Sequence, residues 1–343
     1  MFIRNCWYVV AWDHEIPAEG FLARRILDEP LLLWRTAEGR VVAIEDRCCH
    51  RHAPLSRGQR EGDCVRCGYH GMLYDADGHC VEVPGMQGPP PKARVRTYPL
   101  VVHRRWVFAW MGDPEHADLE MLPDNFSCDH PDWRHKPGYT RFEAPHDLIS
   151  DNLLDFSHLS FVHATTLGGS TAIAHSRPTI EPVPHGLRVT RRVPDVPPPA
   201  YYRKMRAFTG NIDRWFVYDY LLPGVLLMHS GGRPIDAPAG DESRTVRLHS
   251  CQAITPETAG STHYFFQQAH PADQGDESIT TLIHAAIEGA FAEDHAMIAA
   301  QAANLGPGGT AAMLPLWMDS AIVQFRRLYA EALAADARAP LPA

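Results

Sequence analysis

Two short cysteine–histidine pairs lie close together in the first third of the chain: Cys48-Cys49-His50 and Cys67-Gly68-Tyr69-His70. The pattern is Cys-x-His, sixteen residues, then Cys-x-x-His. It places two thiolates and two imidazoles on two loops. That set suits a [2Fe–2S] cluster with Cys48 and Cys67 on one iron and His50 and His70 on the other, where neutral histidines raise the potential. A tetrahedral zinc site made from Cys64, Cys67, His50 and His70 is the competing chemistry. Zinc leaves the paired Cys-x-His and Cys-x-x-His spacing unexplained, and the cluster uses it. Cys64 and Cys80 are then expected to pack as small apolar residues.

A second group lies in Asp151-Asn152-Leu153-Leu154-Asp155-Phe156-Ser157-His158, which continues to His163. Two histidines and one carboxylate on ferrous iron leave coordination positions open for O2 and a substrate. On an ideal helix Asp155 and His158 share a face, but His158 and His163 are about 140° apart. Both can reach one metal only if the helix distorts or ends between them. Phe161-Val162-His163-Ala164-Thr165-Thr166, followed by Gly168-Gly169, is a suitable place for that end. The carboxylate must come from elsewhere. A helix at 278–303 offers Glu288, Glu293 and Asp294, and spacing alone does not choose among them. The competing reading is buried histidines capped by carboxylates, with the helix acids as ordinary solvated charges.

These residues need a scaffold, and the pattern supplies an α+β chain in two parts. Residues 1–120 read as an all-β domain, with strands at Leu31–Trp34, Val41–Ile44 and Trp106–Trp110 and a turn at Asp77-Gly78. The proline-rich stretch 84–99 must be irregular. Residues 121–343 form the second domain, opening within a Pro- and charge-rich connection at 113–146. A helix is expected over Asp147–Val162, then strands at 186–193, 214–222, 225–230, 244–254 and 262–269. Helices follow at 278–303 and 319–336, with Gly306, Pro307, Gly308 and Gly309 between them. The result is an antiparallel sheet covered by helices.

The eight cysteines (6, 48, 49, 64, 67, 80, 128 and 251) accompany no secretory leader, so they point to metal binding more than to disulfides. The expected location is the cytoplasm. No run of 18 apolar residues is present, so no membrane-spanning helix is expected. The net charge is −9, with 15 Lys/Arg against 13 Asp/Glu in residues 1–112 and 17 against 28 in the remainder. That balance, without a basic stripe, argues against nucleic acid as a partner.

Taken together, these motifs resemble the Rieske non-haem iron oxygenases, in the branch of vanillate O-demethylase oxygenase components and dicamba monooxygenase. The likeness runs over nearly the whole chain. It includes Asn5-Cys6-Trp7-Tyr8-Val9, Ala53-Pro54-Leu55-Ser56, Asp151 to Asp155, Thr255-Pro256-Glu257-Thr258 and Glu293-Asp294. The resemblance implies a Rieske [2Fe–2S] domain followed by a helix-grip catalytic domain. It implies a mononuclear Fe(II) on His158, His163 and Asp294, and marks Asp155 and Asn152 as catalytic. In it, Asp155 passes electrons from a neighbouring subunit's cluster within a head-to-tail homotrimer. A separate flavin- and ferredoxin-type reductase supplies electrons from NAD(P)H.

Cys49 departs from the family, which usually has proline between the first Cys and His ligands. The expected reaction is hydroxylation or O-demethylation of a small methoxylated aromatic acid with O2. Hydroxylation of a sterol, alkaloid or arylsulfonate methyl group is the alternative. A bare electron carrier is the reading from another class, which the long C-terminal part opposes. Candidate substrate contacts are Tyr218, His229, Gln252 and Ile287. Gln252 stands where dicamba monooxygenase uses histidine, so the substrate does not carry over. Arg47, Arg51, Arg57, Arg60 and Arg66 surround the cluster loops and are expected to steer the reductase.

Overall fold

The protein is described here by a computed structural model covering residues 1–168, 170–306 and 313–336. Of the expected loop between the last two helices, Pro307, Gly308 and Gly309 lie outside the described residues. The chain divides into two compact units. One is Phe2–Leu122 with Thr255–Thr258, and the other is Pro123–Ile254 with the described residues from Ala259 onward.

Aromatic and β-branched runs in the first unit form three small antiparallel sheets. Strands β1 (Trp7–Trp12), β2 (Leu22–Ile26), β3 (Glu29–Arg35) and β4 (Val41–Glu45) come first. The short strands β5 (Gln59–Glu61), β6 (Cys64–Arg66), β7 (Leu73–Tyr74) and β8 (Cys80–Glu82) follow, then β9 (Leu100–His103) and β10 (Trp106–Trp110). Their orders are β1-β10-β9, β2-β3-β4 and β5-β6-β7-β8. Trp7 pairs with Trp110 and Trp12 with Trp106 across β1 and β10, with ring centroids 5.2 and 5.7 Å apart. Such pairs add roughly 0.5–1.5 kcal/mol beyond the area they bury. The four-stranded sheet carries the cysteine–histidine loops, and Cys48, Leu55, Cys67, Met72 and Tyr74 pack into one buried cluster with Trp34 and Ile44.

In the second unit β11 (Trp133–Arg134) and β12 (Gly138–Phe142) lead into α1 (His146–Leu154) and α2 (Thr171–His175). Strands β13 (Thr179–Val183) and β14 (Gly186–Val196), helix α3 (Ala200–Met205), and strands β15 (Ile212–Leu221), β16 (Val225–Pro234), β17 (Val246–Thr258) and β18 (Ser261–Pro271) follow. Helices α4 (Glu277–Leu305) and α5 (Ser320–Asp336) close the chain. The antiparallel sheet runs β11-β18-β17-β16-β15-β14-β13, with β12 also on β18. Its concave face holds α4. Ile283, Phe291 and Ile298 from the helix share one core with Tyr218, Tyr220, Tyr264 and Phe266 from the sheet. The α+β class and the order of strands and late helices follow the sequence reading.

The helix expected over 147–162 is a different matter. α1 stops at Leu154, and Phe156–Ser160 is a 3₁₀ turn. Asp155 causes the break: it is extended (φ −120°, ψ 99°), and its carboxylate accepts from the Ser157 N–H at 2.8 Å and the Ser157 hydroxyl at 2.6 Å. An aspartate that satisfies the first donors of a new turn starts that turn.

Candidate metal centres and active site

The two cluster loops share one geometry. In the first, the Cys48 N–H donates to Ala53 O (2.9 Å) and the His52 N–H to Cys48 O (2.9 Å). In the second, the Cys67 N–H donates to Met72 O (2.8 Å) and the Gly71 N–H to Cys67 O (3.0 Å). The fifth residue of each loop has positive φ, +57° at His52 and +75° at Gly71. Each loop thus buries its cysteine and holds its histidine outward: Cys48 and Cys67 are buried, and the exposed His50 and His70 rings are 4.7 Å apart. The thiols face each other; burial pushes the Cys67 thiol above its ordinary value, against the backbone N–H groups of Tyr69 and His70, which point at it and favour its charged form. Tyr74 bonds to both Cys48 Sγ (3.1 Å) and Cys49 Sγ (3.2 Å).

This donor set fits a two-iron cluster with unlike ends. The zinc alternative fares worse, because Cys64 has Asp75, Asp63, Glu61 and Arg66 as its charged neighbours, whereas Cys67 faces Cys48. Cys80 is buried, with its thiol on Glu82 O at 3.3 Å.

The second centre assembles from three elements. His158 sits in the 3₁₀ turn, His163 in the irregular stretch after it, and Asp294 on the buried stripe of α4. One ligand atom from each lies within 4.8 Å of the others. His163 Nε2 is 3.1 Å and His158 Nε2 3.6 Å from Asp294 Oδ1. The outer nitrogens are held too. His158 Nδ1 bonds to the backbone carbonyl of Asp155, and His163 Nδ1 donates to Glu293 Oε2 at 2.7 Å. Glu293 is steadied by the Thr166 hydroxyl (2.7 Å), and the Asn152 amide donates to Asp294 Oδ1 (3.0 Å). With both Nδ1 atoms so engaged, both Nε2 lone pairs face the same point, as ligating imidazoles require.

The charges agree. Burial pushes His158 below its ordinary value against the pull of Asp294. Burial would lower His163 as well, but Asp294 and Glu293 outweigh it and hold His163 above. Two imidazoles and a 5%-exposed carboxylate converging without a counter-cation fit a divalent metal.

Several sequence expectations need correction. Asp155 and His158 do not share a helix face: the helix has ended, the Asp155 backbone carbonyl holds the His158 ring, and the Asp155 carboxylate caps the turn. His229 is not on the iron-facing side. It lies opposite Val217 and His249 across β16, whereas the core face carries Tyr218, Met228 and Ser250. It lines instead a cavity of about 230 Å³ on the outer face, with Phe126, Leu227 and His249. Tyr218 and Gln252 do face the core. The Tyr218 hydroxyl donates to Leu154 O (3.3 Å), and Gln252 accepts from Tyr264 (2.5 Å) and donates to Ser250 (3.0 Å). Ile287 is half-buried against the same core.

Of the five arginines, Arg47 pairs with Glu45 and Arg66 with Glu61 and Glu82, while Arg60 bonds to loop carbonyls. Arg51 and Arg57 remain as exposed cations beside the cluster loops. Sequence reasoning missed Glu293 as the partner of His163 and had no signal for the two buried arginines, Arg191 and Arg214.

An all-β domain with paired Cys/His loops, followed by a sheet that grips a helix bearing a buried acid, defines a Rieske non-haem iron oxygenase. Family models agree: the Rieske [2Fe–2S] domain matches residues 6–99, and the vanillate O-demethylase oxygenase C-terminal domain matches 142–335. The chain belongs to this family and carries its two cofactors, a Rieske [2Fe–2S] cluster and a mononuclear non-haem iron. It is 44% identical, over 98% of both chains, to the iron–sulfur subunit of the toluene-4-sulfonate monooxygenase system of Comamonas testosteroni. It is 32% identical to a vanillate O-demethylase oxygenase subunit of a Pseudomonas species, over 99% of this chain and 97% of the other. The crystal structure of dicamba monooxygenase bound to 3,6-dichlorosalicylic acid superposes with a TM-score of 0.89 at 29% identity, covering 98% of this chain and 99% of that one.

Proposed function

We propose that this chain is the oxygenase component of a two-component monooxygenase that acts on the methyl group of a small aromatic acid. With a methyl ether as substrate, hydroxylation gives a hemiacetal that releases formaldehyde and a phenol. The observation that carries this reading is the convergence of His158, His163 and Asp294 in a chain that also holds a one-electron cluster. Bound there, ferrous iron supplies reductive activation of O2.

The protein's own groups do the rest. Glu293 and the Asp155 carbonyl fix the two imidazoles, and Asn152 orients the carboxylate. Tyr218 and Ile287 on the core side, with the Gln252–Tyr264 amide–phenol pair beside them, are the proposed contacts for an aromatic acid. Asp155 relays electrons from the cluster of a neighbouring subunit in a homotrimer. A separate NAD(P)H-dependent, flavin- and ferredoxin-type reductase docks through Arg51 and Arg57, in the cytoplasm. No helix among the described residues is long and apolar enough to cross a membrane.

A second reading is hydroxylation of a ring methyl group on an arylsulfonate, favoured by the 44% identity to the toluene-4-sulfonate enzyme's subunit. The test is turnover with a surrogate reductase on methoxybenzoates and on 4-methylbenzenesulfonate, reading formaldehyde and hydroxymethyl product. Formaldehyde supports the first reading and a hydroxymethyl sulfonate the second. Consumption of NADH with neither product contradicts both.

A further inference from the structure

The stretch that carries His163 has little backbone structure of its own. From Phe161 to Ser170 no strand or helix is formed among the described residues, yet His163 must be placed to within a fraction of an ångström for metal binding. Two side chains from the sheet supply what the backbone lacks. Arg191 on β14 and Arg214 on β15 are both 2% exposed. Arg191 pairs with Phe216 and Arg214 with Val193, so the two guanidinium groups are diagonal neighbours on the core face.

Arg214 donates to Leu167 O (3.1 Å) and Gly168 O (3.0 Å), four and five residues beyond His163. Arg191 donates to Ile173 O (2.9 Å) and to the carbonyl and hydroxyl of Ser176, and its other terminal nitrogen is 3.9 Å from Asp155 Oδ1. Arg214 has no acidic partner within 4 Å among the described residues; it rests on the rings of Tyr202 and Phe216 at 5.4 and 5.0 Å. A buried guanidinium costs several kcal/mol in desolvation. Merely filling core would be done better by leucine or methionine, so each fork is kept for the carbonyls it holds.

We infer that Arg191 and Arg214 are positioning residues for the mononuclear metal: a pair of buried clamps that fix the chain beyond His163, Arg214 at Leu167 and Gly168 and Arg191 at Ile173 and Ser176, and so set the metal affinity of the site. The inference rests on His163 being a ligand, as the proposed function has it. Two further tethers complete the frame: Thr166 on Glu293, just before the Arg214 clamp, and Ser160 on Ser170 O (2.7 Å), which ties the turn carrying His158 to the chain between the clamps.

The experiment removes the mononuclear metal and measures Co(II) affinity by equilibrium dialysis, with cluster absorption and hydrogen exchange followed on the same samples. Arg214→Met and Arg191→Met should weaken Co(II) binding by about tenfold or more. They should speed exchange in the 161–176 region while the cluster absorption stays unchanged. Arg214→Lys and Arg191→Lys, which keep the charge and one bond, should recover part of the affinity. Should a methionine chain not fold, its lysine counterpart is measured alone, where weakened Co(II) binding supports the clamp.

Folded variants with wild-type Co(II) affinity would overturn the inference. So would an equal loss in Leu187→Ala, which loosens the same strand and core opposite Tyr220, away from both clamps. His163→Ala keeps the two outcomes separable: if it binds Co(II) like wild type, the ligand reading itself has failed, and the clamps are not at issue.

Discussion

Asp294 and Glu293 are neighbours of the same chemical type with different roles, and side-chain direction decides between them. On α4 the buried positions Ile283, Ala290, Phe291, Asp294 and Ile298 keep the 3.6-residue period, so Asp294 replaces a core residue while Glu293 points about 100° away. The spacing of the acids hid that phase in the sequence; it shows only when the apolar stripe is carried one turn past Phe291. This buried acid, facing the His158 and His163 imidazoles, is the carboxylate we propose as the third ligand. Asp294→Ala should therefore lose the mononuclear iron with the cluster spectrum intact; retention of that iron would show that the acid is not a ligand.

Glu293→Gln keeps the shape but weakens the acceptor for His163 Nδ1–H, so iron affinity should fall about 10–100-fold. Unchanged affinity would leave Glu293 as a surface charge. The four candidate cluster residues were legible as a group because they lie in two short loops whose spacing is local, and the structure brings those loops together. His229 was misread because β16 is apolar on both faces, with Leu226 and Met228 alternating with Leu227. The alternation that would reveal strand parity is thus absent there.

Among the elements, α1 bears on the site through its end, which starts the turn carrying His158, and through its packing partner α5. The sequence shows the apolar period of α1 but not its stop, because Asp155 ends it through a cap made by Ser157, two residues on. Short elements, β11 and β12 in the connection and α2 beyond α1, carry too few residues for any period to show. α1 is tied to α5 by Arg326 on Asp151 and by His146 Nε2 with the Tyr329 hydroxyl at 3.0 Å. Burial pushes His146 down to about 4. The unfolded chain takes up that proton near pH 6.5, so between about 6.5 and 4 the unfolded state binds more protons. Stability is thus lost as the pH falls through this window. The melting midpoint should drop with acidification, and His146→Gln should flatten part of that slope. An identical slope in the variant would remove His146 from the account.

For the whole molecule, two centres matter only if electrons pass between them. The sequence pointed to both centres, but the coupling we propose runs between subunits, and one chain's residue pattern does not encode it. Asp155→Asn keeps the cap geometry and removes the charge. Both metals should stay bound, and the reductase should still reduce the cluster. Oxidation of a pre-reduced cluster by O2 and substrate should slow by at least about tenfold, a loss of roughly 1.4 kcal/mol in transition-state stabilisation. A wild-type rate would take Asp155 out of the path. Charge reversal at Arg51 and Arg57 should raise the reductase concentration needed for half-maximal turnover and flatten its salt dependence, since screened steering is what salt removes. Kinetics unchanged at low and high salt would place docking elsewhere.

The most direct test of the two-centre account is metal and sulfide analysis of the purified protein beside its His158→Ala variant. The account predicts about three irons and two acid-labile sulfides per chain in the wild type, and about two irons with the same sulfide and visible absorption in the variant. Zinc in place of iron, or loss of sulfide together with the third iron, would contradict it.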